Sequence, residues 1–73
     1  MTEHISDIEI HVNGRSRQVS LGASVANLLE QLEVDGRTVV VELNRQILRR
    51  TELADIGLES GDRVELVQFV GGG

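Results

Sequence analysis

The sequence has 73 residues, the length of one small domain with a single hydrophobic core and little room for a deep active-site cleft. Its 12 acidic and 7 basic residues give a net charge of −5, and every base is an arginine, scattered along the chain, so nucleic acid is not an expected partner. The chain has no cysteine, which excludes disulfides, thiolate metal sites and a nucleophilic thiol.

No stretch approaches the ~20 apolar residues of a membrane-spanning helix, so no membrane association is expected. The polar start MTEHISD lacks the basic and then apolar pattern of a secretory signal. We therefore expect a soluble, cytoplasmic protein. His4 and His11 have no second ligand or base at a helpful spacing, and they are expected to be solvated surface residues rather than metal or catalytic groups.

Residues 8–21 predict a β-hairpin. Apolar and polar side chains alternate from Ile8 to Val12, and apolar positions resume after the pair Asn13-Gly14. Because both residues of an Asn-Gly pair tolerate positive φ, this pair is typical of a two-residue hairpin turn.

Residues 24–36 predict one amphipathic helix. Four apolar side chains recur at the spacing of one helical face: Val25, Leu28, Leu29 and Leu32. Ser24 is placed to cap the first turn, and Gly36 is expected to end the helix. Asn27 stands where a complete capping box would have Glu or Gln, so only half of the cap is expected.

The remaining sequence predicts three more strands. RTVVVELN at 37–44 has the β-branched composition of a central strand. RQILRR holds a brief strand, TELADIGLE could hold a helical turn, and SGD is a turn before the last strand. With the third strand returning beside the first, the order β-β-α-β-β-β predicts an α+β fold, a mixed sheet of about five strands packed on one main helix. The ubiquitin-like β-grasp fits this order best. Residues 1–70 are assigned to that domain and 71–73 to a flexible glycine tail.

The last strand, RVELVQFV, changes apolar parity near its end. Val64 points to one face, whereas Val67 and Phe69 point to the other, so the three side chains cannot share one core. A β-bulge or a strand buried on both faces would explain the change. The alternative is an exposed apolar patch that binds a partner, with Phe69, Val67 and Val70 as its residues and the chain's sole aromatic residue as its anchor.

Three glycines follow the last strand. A glycine run by itself favours a frayed end. Extended, however, Gly71–Gly73 would reach about 10 Å beyond the strand and leave the terminal carboxylate sterically open. The tail segment Gly71-Gly72 could thread a narrow channel and deliver the Gly73 carboxylate to another protein's active site. A carboxylate is a poor acyl donor, so adenylation with ATP is the expected activation.

Four segments in the same order resemble the ThiS family, the sulfur carriers of thiamin biosynthesis. VNGRSRQV, GASVANLLEQL, VVVELNRQIL and SGDRVELVQFVGGG stand where that family has its first hairpin, helix, central strand and last strand with a Gly-Gly end. The ordered set is far more specific than the Gly-Gly end alone. Two departures are Leu48-Arg49-Arg50 in place of a Val-Pro-Arg-like step, and the additional leader MTEHIS.

The resemblance implies a protein cosubstrate rather than an enzyme. A ThiF-type adenylyltransferase, a homologue of ubiquitin-activating enzymes, would use ATP to join the Gly73 carboxylate to AMP. A persulfide sulfur from a cysteine desulfurase or a relay protein would displace AMP and leave a thiocarboxylate, which a ThiG-type thiazole synthase would use to build the thiazole ring. The chain itself would bind no cofactor and no metal, and the free protein would be a monomer.

Three other interpretations remain open at the level of the sequence. A MoaD-like carrier for molybdopterin shares the fold and the Gly-Gly end, but it typically has an aromatic-Pro-Pro stretch that VQFVGGG lacks. A ubiquitin-like modifier would form isopeptide bonds to lysine, and since this chain has no lysine it could modify only other proteins. A β-grasp binding module with an inert tail is the third interpretation.

Overall fold

The computed structural model describes residues 7–69, which form a five-stranded mixed sheet and one α-helix. In chain order the elements are β1 (Asp7–Val12), β2 (Arg15–Ser20), α1 (Val25–Gln31), β3 (Val39–Leu43), β4 (Gln46–Leu48) and β5 (Arg63–Gln68). Two 3₁₀ turns complete them, a first at Gly36–Thr38 and a second at Arg50–Asp55. The predicted α+β architecture and the element order are confirmed. Within residues 7–69 no helix has the length and apolar character needed to cross a bilayer.

The order of strands in the sheet is β2-β1-β5-β3-β4. β1 pairs with β5 in parallel, at His11↔Arg63 and Val12↔Val64, and the other neighbouring pairs are antiparallel. The prediction that the third strand lies beside the first is wrong, because β5 inserts between β1 and β3 and is itself the central strand. The position suits β5, whose Val64 is completely buried and therefore needs to lie over the middle of the core.

The sheet and the helix enclose one apolar core. Its buried side chains come from every layer of the fold: Ile10, Val19, Val25, Leu28, Leu29, Val39, Val41, Leu53, Leu58 and Val64. Alternate residues of the strands point into it, so that Val39 and Val41 are buried on β3 while Val40 between them lies on the outer face. The predicted apolar faces of α1 and β3 are therefore the ones that form the core.

Both ends of α1 differ from the prediction in detail. The Asn27 N–H donates to Ser24 Oγ (3.0 Å), and the Ser24 N–H donates to Asn27 Oδ1 (2.9 Å), so the capping box is complete. The expectation of half a cap is wrong because the amide oxygen of Asn accepts the reciprocal hydrogen bond that Glu or Gln usually accepts.

The helix ends at Gln31 rather than near Gly36. Glu33 takes a left-handed conformation with φ of 60°, and the Val34 N–H donates to the Leu29 carbonyl at 2.9 Å. These are features of a Schellman C-cap, which usually has glycine at the left-handed position. The prediction that Gly36 ends the helix is therefore wrong, because Glu33 takes the position that glycine usually fills. Gly36 instead begins the first 3₁₀ turn.

Two turns that begin with asparagine each connect the two strands of one hairpin. Asn13 and Gly14 have φ of 50° and 84°, as the predicted two-residue turn requires. Asn44 and Arg45 have φ of 49° and 73° and form the equivalent turn between β3 and β4. Asparagine is among the few non-glycine residues that adopt this conformation readily, which explains the first position of each turn.

The two asparagine side chains also bind the central strand. Asn13 Oδ1 accepts the Leu66 N–H at 2.8 Å, and Asn44 Oδ1 accepts the Arg63 N–H at 2.9 Å. Asn44 Nδ2 donates to Asp62 Oδ1 at 3.0 Å. Each turn thus holds β5 from one side, and β5 is fixed between two hairpins.

We predict that Asn13→Gly lowers the free energy of unfolding by about 0.5–1.5 kcal/mol, the net value of a typical hydrogen bond. Glycine keeps the positive φ of the turn and removes only the acceptor for the Leu66 N–H. Urea unfolding measures the change. Asn13→Asp retains an acceptor oxygen and is the matched control, and equal stability of Asn13→Gly and the parent chain would contradict the assignment.

Candidate functional site: the outer end of the last strand

The end of β5 presents apolar side chains to solvent. Val67 is 61% exposed and Phe69 55% exposed, whereas Val64 on the opposite face is 0% exposed. The pairing with β3 keeps one register from Val64 to Gln68, without a bulge. The bulge and the two-sided burial considered for this strand are therefore both wrong, and the change of parity brings apolar side chains to the surface.

The sheet places two more apolar residues on the same outer face as Val67. Val40 lies directly opposite Val67 across the β3–β5 pair, and Ile47 of β4, 69% exposed, lies on the same outer face. The Phe69 N–H donates to the Thr38 carbonyl at 2.8 Å, which continues the ladder beyond β5 and puts Phe69 on the face of Val67. We call Val40, Ile47, Val67 and Phe69 the outer patch.

Sequence reasoning identified Val67 and Phe69 of this patch and missed the other two. The sequence does indicate the outer face for Val40, because this residue alternates with the buried side chains of β3. The sequence does not indicate a face for Ile47, since a three-residue strand has too few positions to show an alternation of apolar and polar side chains. The strand register decides which residues meet.

Charged side chains border the outer patch. An open depression of about 780 Å³ is lined by Glu42, Asn44, Arg45, Arg63, Glu65 and Val67. Glu42 and Glu65 face each other across the β3–β5 pair, an arrangement of like charges that does not favour folding. Among residues 7–69 the one ion pair is Arg37–Asp35, so the charges around the depression have no ion-pair partner within that part of the chain. They are free to meet complementary charges on another protein.

A short network fixes the point where the chain leaves the sheet. The Thr38 carbonyl that holds Phe69 belongs to the first 3₁₀ turn, and the Thr38 N–H and Oγ1 both donate to the Asp35 carbonyl, at 2.9 and 2.7 Å. Arg37 donates to the Asp35 carboxylate from its guanidinium (2.9 Å) and from its backbone N–H (2.9 Å). These hydrogen bonds from Arg37 lower the pKa of Asp35 from 3.8 to about 2.

The remaining predicted site residues, Val70 and Gly71–Gly73, lie outside the described residues. The division into a domain at 1–70 and a tail at 71–73 stays a prediction for the same reason. His11 is half-buried on β1, and residues 7–69 contain no group of three or more His, Asp or Glu side chains placed to bind a metal ion. The candidate site in the described residues is thus the outer patch at the end of β5, without a cluster of metal ligands.

The sequence profile of the ThiS family matches residues 10–73. The chain belongs to the ThiS family. The crystal structure of a ThiS thiamine biosynthesis protein from Geobacter metallireducens matches with a TM-score of 0.79 at 35% identity, over 90% of this chain and 100% of that one. These matches confirm the predicted family and its ubiquitin-like β-grasp fold.

Two named relatives show how far the ThiS similarity extends. The sulfur carrier protein ThiS of Escherichia coli is 32% identical over 66 residues, which are 90% of this chain and 100% of the relative. A thiazole synthase of Paramagnetospirillum magneticum is 38% identical over 66 residues, again 90% of this chain. The chain spans only 20% of the length of that synthase. A ThiS-like segment therefore forms part of a larger polypeptide in that organism.

The Asp35–Arg37 pair predicts a specific acid response. Because the folded-state pKa of Asp35 lies below the unfolded value, the pair stabilises the fold above about pH 4, and the contribution is lost as the pH falls toward 2. Asp35→Asn keeps an acceptor for the Arg37 backbone N–H but has no charge to titrate. We expect the free energy of unfolding to fall less steeply between pH 4 and pH 2 in this variant than in the parent chain, and identical slopes would contradict the assignment.

Proposed function

We propose that this protein is a sulfur carrier of thiamin biosynthesis, a protein cosubstrate whose terminal Gly73 carboxylate accepts and delivers the sulfur. One observation supports this most directly: the exposed outer patch ends at Phe69, four residues before Gly73, and the ThiS match runs through Gly73. An apolar surface beside a glycine tail allows an enzyme to hold the domain while its active site receives the tail.

The proposed chemistry begins with activation of the carboxylate. A Gly73 carboxylate oxygen attacks the α-phosphorus of ATP, pyrophosphate leaves, and an acyl adenylate forms. A persulfide sulfur attacks the activated carbonyl, and AMP leaves. A second thiol then cleaves the resulting acyl disulfide; it forms a disulfide with the sulfur donor, and the carrier leaves as a thiocarboxylate. All sulfur comes from partners, because this chain has no cysteine.

Three partners are proposed for these steps. A ThiF-type adenylyltransferase binds the ATP, a cysteine desulfurase or relay protein supplies the persulfide, and a ThiG-type thiazole synthase consumes the thiocarboxylate. The similarity to a thiazole synthase supports the third partner, because a ThiS-like segment within that polypeptide places carrier and synthase together. We propose that the reactions take place in the cytoplasm and that the free carrier is a monomer.

The ThiS match favours thiazole formation over the molybdopterin pathway of MoaD-like carriers. The similarity to a sulfur carrier along the whole of its length likewise favours sulfur transfer over protein modification or an inert tail. The chemistry at the chain end separates a sulfur carrier from a protein modifier and from an inert binding module.

We predict that removal of Gly72-Gly73 abolishes pyrophosphate exchange catalysed by the adenylyltransferase, because the new terminal carboxylate, on Gly71, stands two residues short of the reacting position. The melting temperature should not change, since a segment beyond the last strand adds almost nothing to the core. Gly72→Ala and Gly73→Ala should lower the yield of thiocarboxylate, because a Cβ obstructs both the channel and the attacking sulfur. Intact mass detects the product as the replacement of one oxygen by sulfur.

Gly71→Ala is the matched control for these tail variants, because residue 71 is farthest from the reacting carbon and should be affected least. Exchange that persists after removal of Gly72-Gly73 would refute the proposed acceptor. Equal yields from all three alanine variants would show that the tail is not threaded through a narrow channel.

We predict that Phe69→Ala weakens binding to the adenylyltransferase by at least about tenfold, as expected for an aromatic interface anchor. Because Phe69 is 55% exposed, its truncation should cost less than about 2 kcal/mol of stability, whereas a fully buried aromatic side chain would cost about 3–5 kcal/mol. Thermal melts and titration calorimetry on the same variant separate the two effects.

Leu21→Ala is the matched control, because Leu21 is 64% exposed but follows β2, at the edge of the sheet opposite β4. This control should bind normally. If Phe69→Ala unfolds the domain, or if Leu21→Ala weakens binding equally, the outer patch is not the docking surface.

A further inference from the structure

β5 extends beyond its neighbour β1. The parallel pairing ends at Val12↔Val64, yet β5 continues to Gln68. Along β5 the backbone groups alternate in direction: the Val64 carbonyl accepts the Asn13 N–H on the β1 side (2.9 Å), whereas the Phe69 N–H points to Thr38 on the β3 side. Even-numbered residues therefore direct their backbone groups toward β1, and odd-numbered residues toward β3.

Beyond Val64, residues 7–69 provide a hydrogen-bond partner for only the first of the backbone groups on the β1 side. The Leu66 N–H donates to Asn13 Oδ1, a side chain that takes the place of a further residue of β1. The next groups on this side are the Leu66 carbonyl, the Gln68 N–H and the Gln68 carbonyl. In the region 7–69 no strand pairs with them, and Gln68 is exposed. We call these three groups the open edge.

The open edge lies beside the outer patch and precedes the last residues of the sequence. Val67 and Phe69 of the patch flank Gln68, so a protein that covers the patch also removes water from the backbone of Gln68. A backbone N–H or carbonyl that loses water without gaining a hydrogen bond costs about 1–3 kcal/mol. A partner that binds the patch tightly must therefore supply a donor and an acceptor at the open edge.

We propose that the open edge receives an extended backbone segment of the adenylating enzyme, which adds a short strand to the sheet next to β5. The inference rests on the proposed function, because it assigns the occupant as the enzyme that activates Gly73. Strand addition recognises main-chain groups, and it holds the recipient strand extended. The added strand would keep residues 66–69 straight and so direct the tail into the active site.

The open edge is too short to bind strongly by itself. Three backbone groups give at most three hydrogen bonds, each with a modest net value, so affinity must come from the adjoining outer patch. The same shortness limits pairing between two copies of the chain, since short edge strands are a known protection against self-association. The charged groups around the patch give the enzyme a further means of selecting this edge.

Hydrogen exchange of single amides tests the proposal. In the free carrier the Gln68 amide should exchange rapidly, while the Phe69 amide, bonded to Thr38, should exchange more slowly. The complex is formed with the adenylyltransferase and an ATP analogue that cannot be cleaved between its α and β phosphates. In this complex the exchange of the Gln68 amide should slow by at least about tenfold, as a new hydrogen bond requires.

A pair of variants gives an independent measurement. Gln68→Pro removes the N–H from the open edge without removing a hydrogen bond within the described chain, whereas Gln68→Ala removes only the side chain. Pyrophosphate exchange should fall at least about tenfold further for Gln68→Pro than for Gln68→Ala, and equal rates for the two variants would contradict the proposal. Thermal melts verify that both variants are folded, and the amide measurement on the parent chain decides the question if Gln68→Pro is not.

The outcomes separate this inference from the proposed function. Rapid exchange at Gln68 in a complex with an enzyme that adenylates the parent chain would overturn the strand addition and leave the carrier function intact. Protection of Gln68 that increases with carrier concentration in the absence of enzyme would assign the edge to a second copy and overturn the proposal. Failure of the enzyme to adenylate the parent chain would refute the proposed function and this inference together.

Discussion

The insertion of β5 between β1 and β3 is the constraint on which the rest of the molecule depends. β5 is the last element among the described residues, and it forms a parallel pair on one side and an antiparallel pair on the other. Its Val64 is completely buried. The sheet therefore has no continuous centre without β5, and the placement of this strand also sets where the chain leaves the sheet at Phe69.

Two asparagine turns hold this central strand. Asn13 and Asn44 each combine a positive φ, which their hairpins need, with a side-chain oxygen that accepts an N–H of β5. One residue thus makes the turn and secures a strand distant in sequence. Replacement of either asparagine by glycine would keep the positive φ of the turn but would remove the oxygen that accepts the N–H of β5.

The exposed end of β5 follows from the same arrangement. β5 is longer than its overlap with β1, so within residues 7–69 its last residues have a partner strand only on the β3 side. The outer face there is apolar at Val67 and Phe69, and the backbone groups on the edge facing away from β3 have no partner strand in the described part of the chain. The first 3₁₀ turn, held by the Asp35–Arg37 pair, fixes the last ladder hydrogen bond before the tail. A rigid strand end beside an apolar surface is what a carrier needs to present its chain end to an enzyme.

The sequence by itself determined the order of the elements, the core face of the helix and the location of the first turn. These features depend on local chemistry, such as the spacing of four apolar side chains or the φ tolerance of Asn13-Gly14. The sequence also indicated that Val67 and Phe69 face away from the core, because successive side chains of a strand point to alternate faces of the sheet. The resemblance to the ThiS family was carried by the same local segments.

Only the tertiary structure decided which strand lies beside β1, that Val40 and Ile47 join the outer patch, and that Asn13 reaches Leu66. Each of these depends on residues far apart in the chain, and the free energy of such pairings comes from burial and register, which no local pattern contains. The two errors at the helix ends have a related cause: Asn27 and Glu33 fill positions that other residue types usually take, because the surrounding backbone and its hydrogen bonds fix their conformation.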